Sequence, residues 1–191
     1  MRNLCVIPCR SGSVRIPGKN TRPFKGVPMV QRAVQTAVDA NVFDMVVVYT
    51  DSLDTVKLVD GKANFVMREV DDGTKGTLEV TRECAFGIRL LEDAFDHVCC
   101  LYPCTPLFNA SLMYTMWHQH VCSKRGHTVA VGAAPLRDAG ACYWHTWKAL
   151  MSSAPLIGEE TGLYVLPEER VCDINTPQDW ARAEQLYEEI T

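Results

Sequence analysis

The sequence lacks the features that define several large classes of protein. No uninterrupted apolar run is long enough to span a membrane, and Pro8, Cys9 and Arg10 break the first apolar stretch, unlike in a signal peptide. With only 12 Gly and 10 Pro in 191 residues, it is not collagen-like or of low complexity. A hydrophobic fraction of 47% excludes global disorder. We therefore expect one packed, cytoplasmic domain over residues 1–191, without a membrane partner.

Paired cysteine motifs are also missing. The nine cysteines are an odd number, several lie inside apolar runs, and none forms a C-x-x-C pair typical of zinc or dithiol sites. We interpret them as small buried hydrophobic residues. The spacing of His118, His120 and His127 matches no standard zinc site, so we expect these side chains at the surface or at a helix end.

An overall positive charge is absent, because 19 basic residues stand against 23 acidic ones for a net charge of −4. This sign excludes a general nucleic-acid binder, and no nucleic-acid partner is expected. The charge is unevenly distributed, since the first 38 residues carry seven basic side chains and no acidic one. A local excess of positive charge in an acidic protein indicates a site for an anionic ligand.

Short apolar runs alternate with amphipathic segments over the first 131 residues. Continuous apolar runs are typical of strands buried on both faces of a parallel sheet. The predicted strands are residues 4–7, 45–49, 63–67, 97–101 and 128–131, and the predicted helices are 28–40, 52–60, 76–92 and 109–121. We therefore predict a three-layer α/β/α sandwich with a mainly parallel, Rossmann-like sheet, whose strands bind ligands at their carboxyl ends.

The C-terminal part of the sequence has weaker signals until its end. Residues 133–162 are rich in small and aromatic residues and show no clear period. Thr176, Pro177 and Asp179 then predict the start of a last helix, because they suit the N-cap, the first helical position and a capping box.

The loop of residues 9–20 follows the first predicted strand. It combines small residues, which let backbone amides approach a ligand, with the cations Arg10, Arg15 and Lys19. This composition suits a polyphosphate. The glycine spacing is one residue too long for a Walker A loop, and the third glycine of a dinucleotide fingerprint is absent. A solvated basic loop is an equally good interpretation of the composition alone.

Several motifs occur in the same order as in one known family. They are Ile7–Ser13 with Arg15–Asn20, Val48–Ser52, Arg68 with Asp71, Asp72, Gly76 and Thr77, Leu101–Leu107, Asp138–Gly140 with Tyr143 and Trp144, and Asp173–Trp180. In these motifs the chain resembles the sugar cytidylyltransferases, which activate nonulosonic acids such as sialic and pseudaminic acid with CTP. The pair Tyr102-Pro103 and the Asp138 motif are most similar to the pseudaminic acid branch.

The resemblance implies a fold of the nucleotide-diphospho-sugar transferase type and a reaction that transfers CMP from CTP to a nonulosonic acid, with release of pyrophosphate. It implies that Arg10 and Lys19 clamp the phosphates and, with Asp173, are the catalytic residues. It also implies that Arg68 and Thr77 recognise cytosine. The other implied nucleotide contacts are Ser11, Gly12, Ser13, Arg15, Asn20, Tyr102 and Pro103.

A triphosphate substrate implies Mg²⁺ as cofactor, held by one or two carboxylates and by phosphate oxygens. Asp173 is the first candidate ligand. Asp51 is the second, with an N-cap of the helix at Ser52 as an equal alternative. Relatives carry Asp-x-Asp where this chain has Asp173-Ile174-Asn175, so Asn175 would offer a neutral amide oxygen in place of a carboxylate.

Relatives also carry a long segment before the Asp138 motif, which forms their dimer contact and reaches over the sugar site; here only residues 132–137 intervene. The resemblance therefore divides the domain into a nucleotide-binding core (1–132), a shortened sugar-side region (133–170) and a metal motif with the last helix (171–191). The family's homodimer is not expected. Two alternatives stay open: nucleotidyl transfer to another sugar or sugar phosphate, and a CTP-binding module without catalysis.

Overall fold

A seven-stranded sheet forms the centre of the computed structural model, which describes residues 1–70, 73–89, 95–133 and 135–190. The strands are β1 (Asn3–Cys9), β2 (Pro23–Phe24), β3 (Val27–Pro28), β4 (Met45–Thr50), β5 (Asn64–Met67), β6 (His97–Leu101), β7 (His127–Ala133), β8 (Leu136–Thr146) and β9 (Thr161–Val165). The sheet order is β5-β4-β1-β6-β8-β7-β9, while β2 and β3 form a separate hairpin. β8 runs antiparallel to both of its neighbours, and the other pairs in the sheet are parallel.

Helices cover both faces of this sheet. They are α1 (Met29–Asp39), α2 (Leu53–Val59), α3 (Thr77–Arg89), α4 (Ala110–Ser123), α5 (Trp147–Leu150) and α6 (Pro177–Ile190), with a 3₁₀ turn at Glu168–Arg170. No helix within the described ranges has the length and apolar character needed to cross a membrane.

The two faces of β1 show why the architecture has three layers. Successive side chains of a strand point to opposite faces. Cys5 and Ile7 accordingly pack into the cluster that includes α1 and α4, whereas Leu4 and Val6 pack into the cluster that includes α3 and α5. Every residue of β1 is buried, so the strand has no polar face to reveal an alternation. The predicted three-layer, mainly parallel fold is confirmed.

Two strands that the sequence did not predict, β8 and β9, lie in region 133–162 and at its C-terminal end. β8 lies between β6 and β7 with most of its residues buried, so its sequence lacks the alternation of a half-exposed strand. A register shift between Val129 and Val131 and a left-handed backbone at Gly140 interrupt its pairing further. The predicted helices and the other strands are present, although residues 90–92 of the predicted third helix lie outside the described ranges.

The expectation for the cysteines is confirmed, and the expectation for the histidines is confirmed only in part. Eight of the nine cysteines are buried, and Cys122 is exposed. His118 is exposed and His120 lies in the last turn of α4, as expected, although His120 is buried. The expectation is wrong for His127, which is buried at the start of β7. His120 follows Met113 and Met116 on the face of α4 that is turned towards the sheet. Hydrogen bonds link His97 to His120 and His127 to His145.

The start of α6 is capped as predicted. Thr176 Oγ1 accepts a hydrogen bond from the amide of Asp179 at 3.2 Å, and the Asp179 carboxylate accepts one from the amide of Thr176 at 2.7 Å. Trp180 packs on Phe24 edge to face. This contact holds α6, and therefore residues 171–176, beside the loop of residues 9–20.

Candidate active site

A cavity of about 400 Å³ opens where the parallel strands end. β1 leads into Arg10, β5 into Arg68 and β6 into Tyr102. Gly140 reaches the same cavity because β8 runs in the opposite direction and begins at this edge. The predicted location of the site, at the carboxyl ends of the strands, agrees with this cavity.

The loop of residues 10–20 forms one wall of the cavity. Arg10, Ser13, Arg15, Lys19 and Asn20 line it. The Lys19 ammonium donates a hydrogen bond to the carbonyl of Ile174 at 2.7 Å, which ties the loop to the segment before α6. The side-chain amide of Asn20 donates to the carbonyl of Arg10 at 3.0 Å and holds the loop in shape. Three cations thus share one wall.

The position of Arg10 depends on a glycine. Gly73 has φ +80°, and a side-chain carbon there would lie 2.5 Å from Cζ of Arg10. Only a residue without a side chain allows the guanidinium to pack this closely on the backbone. Gly73 therefore lines the cavity next to Arg10, although the sequence did not single it out.

Ser11 and Asp51 form a contact behind the cavity. Neither lines it, and the Ser11 amide donates to Oδ1 of Asp51 at 2.7 Å while the hydroxyl donates to Oδ2 at 3.2 Å. The alternative that Asp51 caps the next helix is wrong, because Ser52 accepts the capping hydrogen bond from Thr55. Asp51 as a metal ligand stays a prediction; in this structure its carboxylate holds the loop of residues 9–20 through Ser11.

Gly12 and Pro103 also lie outside the cavity lining. The carbonyl of Gly12 accepts a hydrogen bond from Nη1 of Arg10 at 2.9 Å, so Gly12 shapes the loop. Pro103 is buried and lines a small gap against Ala33 of α1. Their predicted contacts with the nucleotide stay predictions.

The other end of the cavity contains Arg68, Thr77 and Tyr102. The hydroxyls of Thr77 and Tyr102 lie 3.2 Å apart and share a hydrogen bond. The guanidinium of Arg68 lies over the ring of Tyr49, with its carbon 4.9 Å from the ring centroid. Asp71 and Asp72, which the resemblance places in this loop, lie outside the described residues.

Lys75 lines this end of the cavity as well, and the sequence analysis missed it. Its ammonium pairs with Glu83 at 2.6 Å. Tyr49 donates to the same carboxylate at 3.4 Å, and burial raises the pKa of Tyr49 to about 12. Lys75 lies in a polar loop without a sequence pattern that predicts a site residue, because Glu83 becomes its neighbour only after α3 has formed.

Asp173 lines the cavity beside Gly140 of β8. Burial raises the pKa of its carboxyl group, against the opposing effects of a hydrogen bond from Asn175 and the charge of Lys19. Gly140 packs against it, and a side-chain carbon at this position would lie 2.7 Å from Oδ2. The Asn175 amide donates to Asp173 Oδ2 at 2.6 Å, while its oxygen accepts from Arg15 at 3.1 Å.

The side chains around Asp173 fit a Mg²⁺ ion that binds together with the phosphates of a nucleotide. Mg²⁺ needs only one or two protein carboxylates when phosphate oxygens complete its coordination. Asp173 offers one in the wall of a cavity that three cations share, and glycine at position 140 leaves room beside it. Asn175, in this orientation, gives its oxygen to Arg15 rather than to a metal. Among the described residues, no three His, Cys, Asp or Glu side chains form a metal site by themselves.

Tyr143 and Cys104 also line the cavity. The Tyr143 hydroxyl donates to both oxygens of Asp138, at 2.8 and 2.9 Å. The resemblance includes Tyr143 and Asp138 but assigns neither a role. Burial raises the pKa of the Cys104 thiol, against the effect of Lys19, which agrees with the interpretation of the cysteines as unreactive.

Comparison with known proteins gives a consistent result. A family model described as "Cytidylyltransferase" matches residues 4–125. The chain is 27% identical to the pseudaminic acid cytidylyltransferase of Campylobacter jejuni (serotype O:2) over 224 aligned residues, which cover 98% of this chain and 97% of the relative. It is 25% identical to the CMP-N,N'-diacetyllegionaminic acid synthase of Legionella pneumophila, with the same coverage of both chains. The alignments are longer than this chain, so the relatives carry residues that have no counterpart here.

Among solved structures, CMP:2-keto-3-deoxy-manno-octonic acid synthetase in complex with CTP superposes with a TM-score of 0.76 at 14% identity, over 100% of both chains. The 4-diphosphocytidyl-2C-methyl-D-erythritol synthase of Anaerococcus prevotii superposes with a TM-score of 0.68 at 13% identity, over 98% of this chain and 96% of the other. These similarities show the fold. The family match covers well over half of the sequence, and the chain therefore belongs to the cytidylyltransferase family and is a nucleotidyltransferase.

Proposed function

We propose that this enzyme transfers CMP from CTP to a nonulosonic acid of the pseudaminic or sialic type, with release of pyrophosphate and in dependence on Mg²⁺. The observation that carries the proposal is the convergence of Arg10, Arg15, Lys19 and Asp173 on one cavity. Two near-full-length relatives are named for transfer to sugar acids of this kind.

The phosphate end of the site acts by neutralising and aligning charge. Nucleotidyl transfer needs the attacking oxygen, the α-phosphorus and the departing pyrophosphate roughly in line. Arg10 and Lys19 bind the triphosphate, and their fixed attachment to Gly12 and Ile174 keeps them in place before substrate arrives. Mg²⁺ held by Asp173 would supply further neutralisation of the phosphate charge. Asn175 orients Asp173 through its hydrogen bond.

The base end of the site acts by recognition. Arg68 is held in position by the ring of Tyr49, and Thr77 and Tyr102 hold each other through their hydroxyls. Fixed donors of this kind suit the carbonyl and ring nitrogen of cytosine. Because this end of the cavity lies next to α3, it has limited room for a larger base. We infer that CTP is preferred over purine nucleotides.

A second candidate is nucleotidyl transfer to another sugar or sugar phosphate. It is favoured by the short connection between β7 and β8, because relatives have residues with no counterpart in this chain. The nucleotide half of the site is unchanged under this alternative.

One experiment separates the two candidates. The purified protein is incubated with CTP, Mg²⁺ and pseudaminic acid, N-acetylneuraminic acid, 3-deoxy-manno-octulosonic acid or a sugar phosphate, and pyrophosphate is measured. The proposal predicts release with pseudaminic or N-acetylneuraminic acid, none without acceptor, and a large loss when ATP replaces CTP. Silence with both of these nonulosonic acids, in an assay where the Campylobacter relative works, contradicts the proposal. Release only with 3-deoxy-manno-octulosonic acid or with the sugar phosphate supports the second candidate.

A further inference from the structure

A second cavity, of about 240 Å³, lies between the first residues of β8 and the first turns of α6. Asp173 lines both this cavity and the nucleotide cavity. The charged residues that line it besides Asp173 are Arg137, Asp138, Asp179 and Arg182. The two cavities therefore meet at the residue that the proposed function places beside the reacting phosphate.

The order of the strands in the sheet indicates on which side of the nucleotide cavity the second cavity lies. Arg68 follows β5 at one edge of the sheet, the phosphate loop follows β1, and Asp138 lies on β8 beyond β6. The base end and the second cavity are thus on opposite sides of Asp173. A ligand in the second cavity would therefore approach Asp173 from the side away from the base end.

Arg182 differs from the other charged groups of this cavity. Arg137 is engaged by Glu168 at 2.9 Å and by the carbonyl of Pro135. Asp138 accepts from Tyr143, and Asp179 caps α6. Arg182, in contrast, has no hydrogen bond or ion pair with any residue in the described ranges.

The lining indicates the chemistry of the ligand. A guanidinium offers a planar pair of donors that matches a carboxylate. Asp138 and Asp179 retain acceptor capacity for the hydroxyls of a polar ligand. A cavity that combines one free cation with carboxylates suits a polyhydroxylated acid better than a phosphate dianion, which the carboxylates would repel.

We propose that this second cavity is the acceptor subsite and that Arg182 of α6 binds the carboxylate of the sugar acid. This inference rests on the proposed function, because it assigns the second substrate of the same reaction. It gives α6 a role in acceptor binding and explains how the chain holds an acceptor with only a short connection between β7 and β8.

The test measures acceptor binding directly. Titration calorimetry is done with the three sugar acids and with their analogues in which a primary alcohol replaces the carboxylate, on protein saturated with α,β-methylene-CTP and Mg²⁺. The variants are Arg182→Ala, Arg182→Lys and, as a matched control, Lys148→Ala, which removes an exposed cation from α5 at the other edge of the sheet.

We expect Arg182→Ala to weaken sugar-acid binding roughly ten- to a hundredfold, since it removes a charge-assisted hydrogen bond. Arg182→Lys should restore part of this loss, while Lys148→Ala and binding of the nucleotide analogue stay unchanged. The alcohol analogue should bind equally weakly to wild type and to Arg182→Ala, which a merely structural role of Arg182 would not produce.

Equal sugar-acid affinity of wild type and Arg182→Ala would overturn the inference, and so would a wild type that binds none of the three acids. The proposed function is judged separately, by pyrophosphate release. A wild type that turns over a sugar acid while Arg182→Ala leaves its KM unchanged refutes the acceptor subsite alone. A wild type that binds a sugar acid through Arg182 but releases no pyrophosphate refutes the reaction alone.

Discussion

The two halves of the site are built in different ways. On the nucleotide side, parallel strands β5, β4, β1 and β6 end at one edge, and the residues that follow β5, β1 and β6 line the cavity. On the acceptor side, one antiparallel strand, β8, and the turn before α6 come together only through long-range packing. The family model matches residues 4–125, which include the first half and not the second.

This difference indicates where function is fixed and where it varies. The nucleotide side of the site is formed by strand ends and by one loop that is close in sequence to them. Recognition of the acceptor depends on contacts between distant segments, such as Gly140 against Asp173. Changes in length between β7 and β8 therefore alter the acceptor side without disturbing the nucleotide side.

Replacement of Asp173, where the two halves meet, should have the largest effect. Asp173→Asn removes the carboxylate while keeping its shape, and we expect kcat to fall by roughly two to three orders of magnitude. Binding of CTP without Mg²⁺ should change little. Steady-state kinetics and CTP titration check this, with Glu189→Gln as a surface control. Unchanged kcat in Asp173→Asn would show that the halves do not meet at this residue.

Because buried histidines connect the two halves of the site, we predict that both halves unfold in a single transition in acid. Burial, and then His97 and His127, lower the pKa of His120 to about 3. The unfolded chain binds a proton near pH 6.5 that the native state does not, so the free energy of unfolding falls as the pH drops below this value. His120 alone should cost about 2 kcal/mol between about pH 6.5 and about pH 5.

Urea unfolding at these two pH values measures this loss, and His120→Gln should reduce it. Hydrogen bonds connect His97 of β6 to His120, and His120 to Thr128 of β7, and thereby link the two halves. Circular dichroism and tryptophan fluorescence should therefore give one coincident transition. Two separate transitions would mean that the halves are independent folding units.

Two glycines allow the halves to be perturbed separately. Gly73→Ala should displace Arg10 and weaken CTP binding on the order of tenfold, whereas Gly140→Ala should displace Asp173 and lower kcat by a similar factor. Gly61→Ala is the control, because Gly61 has a similar positive φ of +71° with nothing within 4 Å of the new carbon. If both site variants affect the same kinetic constant, the division of the site is wrong.

The sequence predicted the first half of this account better than the second, for physical reasons. Arg10 and Lys19 lie in the loop after the buried strand β1, and Arg68 follows the short apolar run of β5, so their position at one edge could be inferred. β8 is buried within the sheet and carries no alternation, and Lys75 and Arg182 acquire their surroundings only in three dimensions. Asp51 illustrates the limit: its place after β4 was predictable, but its hydrogen bonds to Ser11 were not.

The smallest expected effect concerns Asn175. Asn175→Asp adds a carboxylate next to Asp173 and should tighten the apparent affinity for Mg²⁺ a few fold in the presence of CTP, because a second anionic ligand becomes available. Asn175→Ala, which loses the hydrogen bond to Asp173 and the contact with Arg15, should weaken it a few fold. Mg²⁺ titrations of the initial rate distinguish the two. Equal behaviour of both variants would exclude Asn175 from the metal side of the site.

The central claim is that one reaction joins the two halves: CMP is transferred from CTP to a sugar acid. Phosphorus NMR of a mixture of protein, CTP, Mg²⁺ and sugar acid follows the α-phosphorus directly. The account predicts that the α-phosphorus signal of CTP is replaced by that of a phosphodiester to the sugar, together with an equal amount of pyrophosphate. Loss of CTP without a phosphodiester, or no loss with any sugar acid that the Campylobacter relative converts under the same conditions, would contradict it.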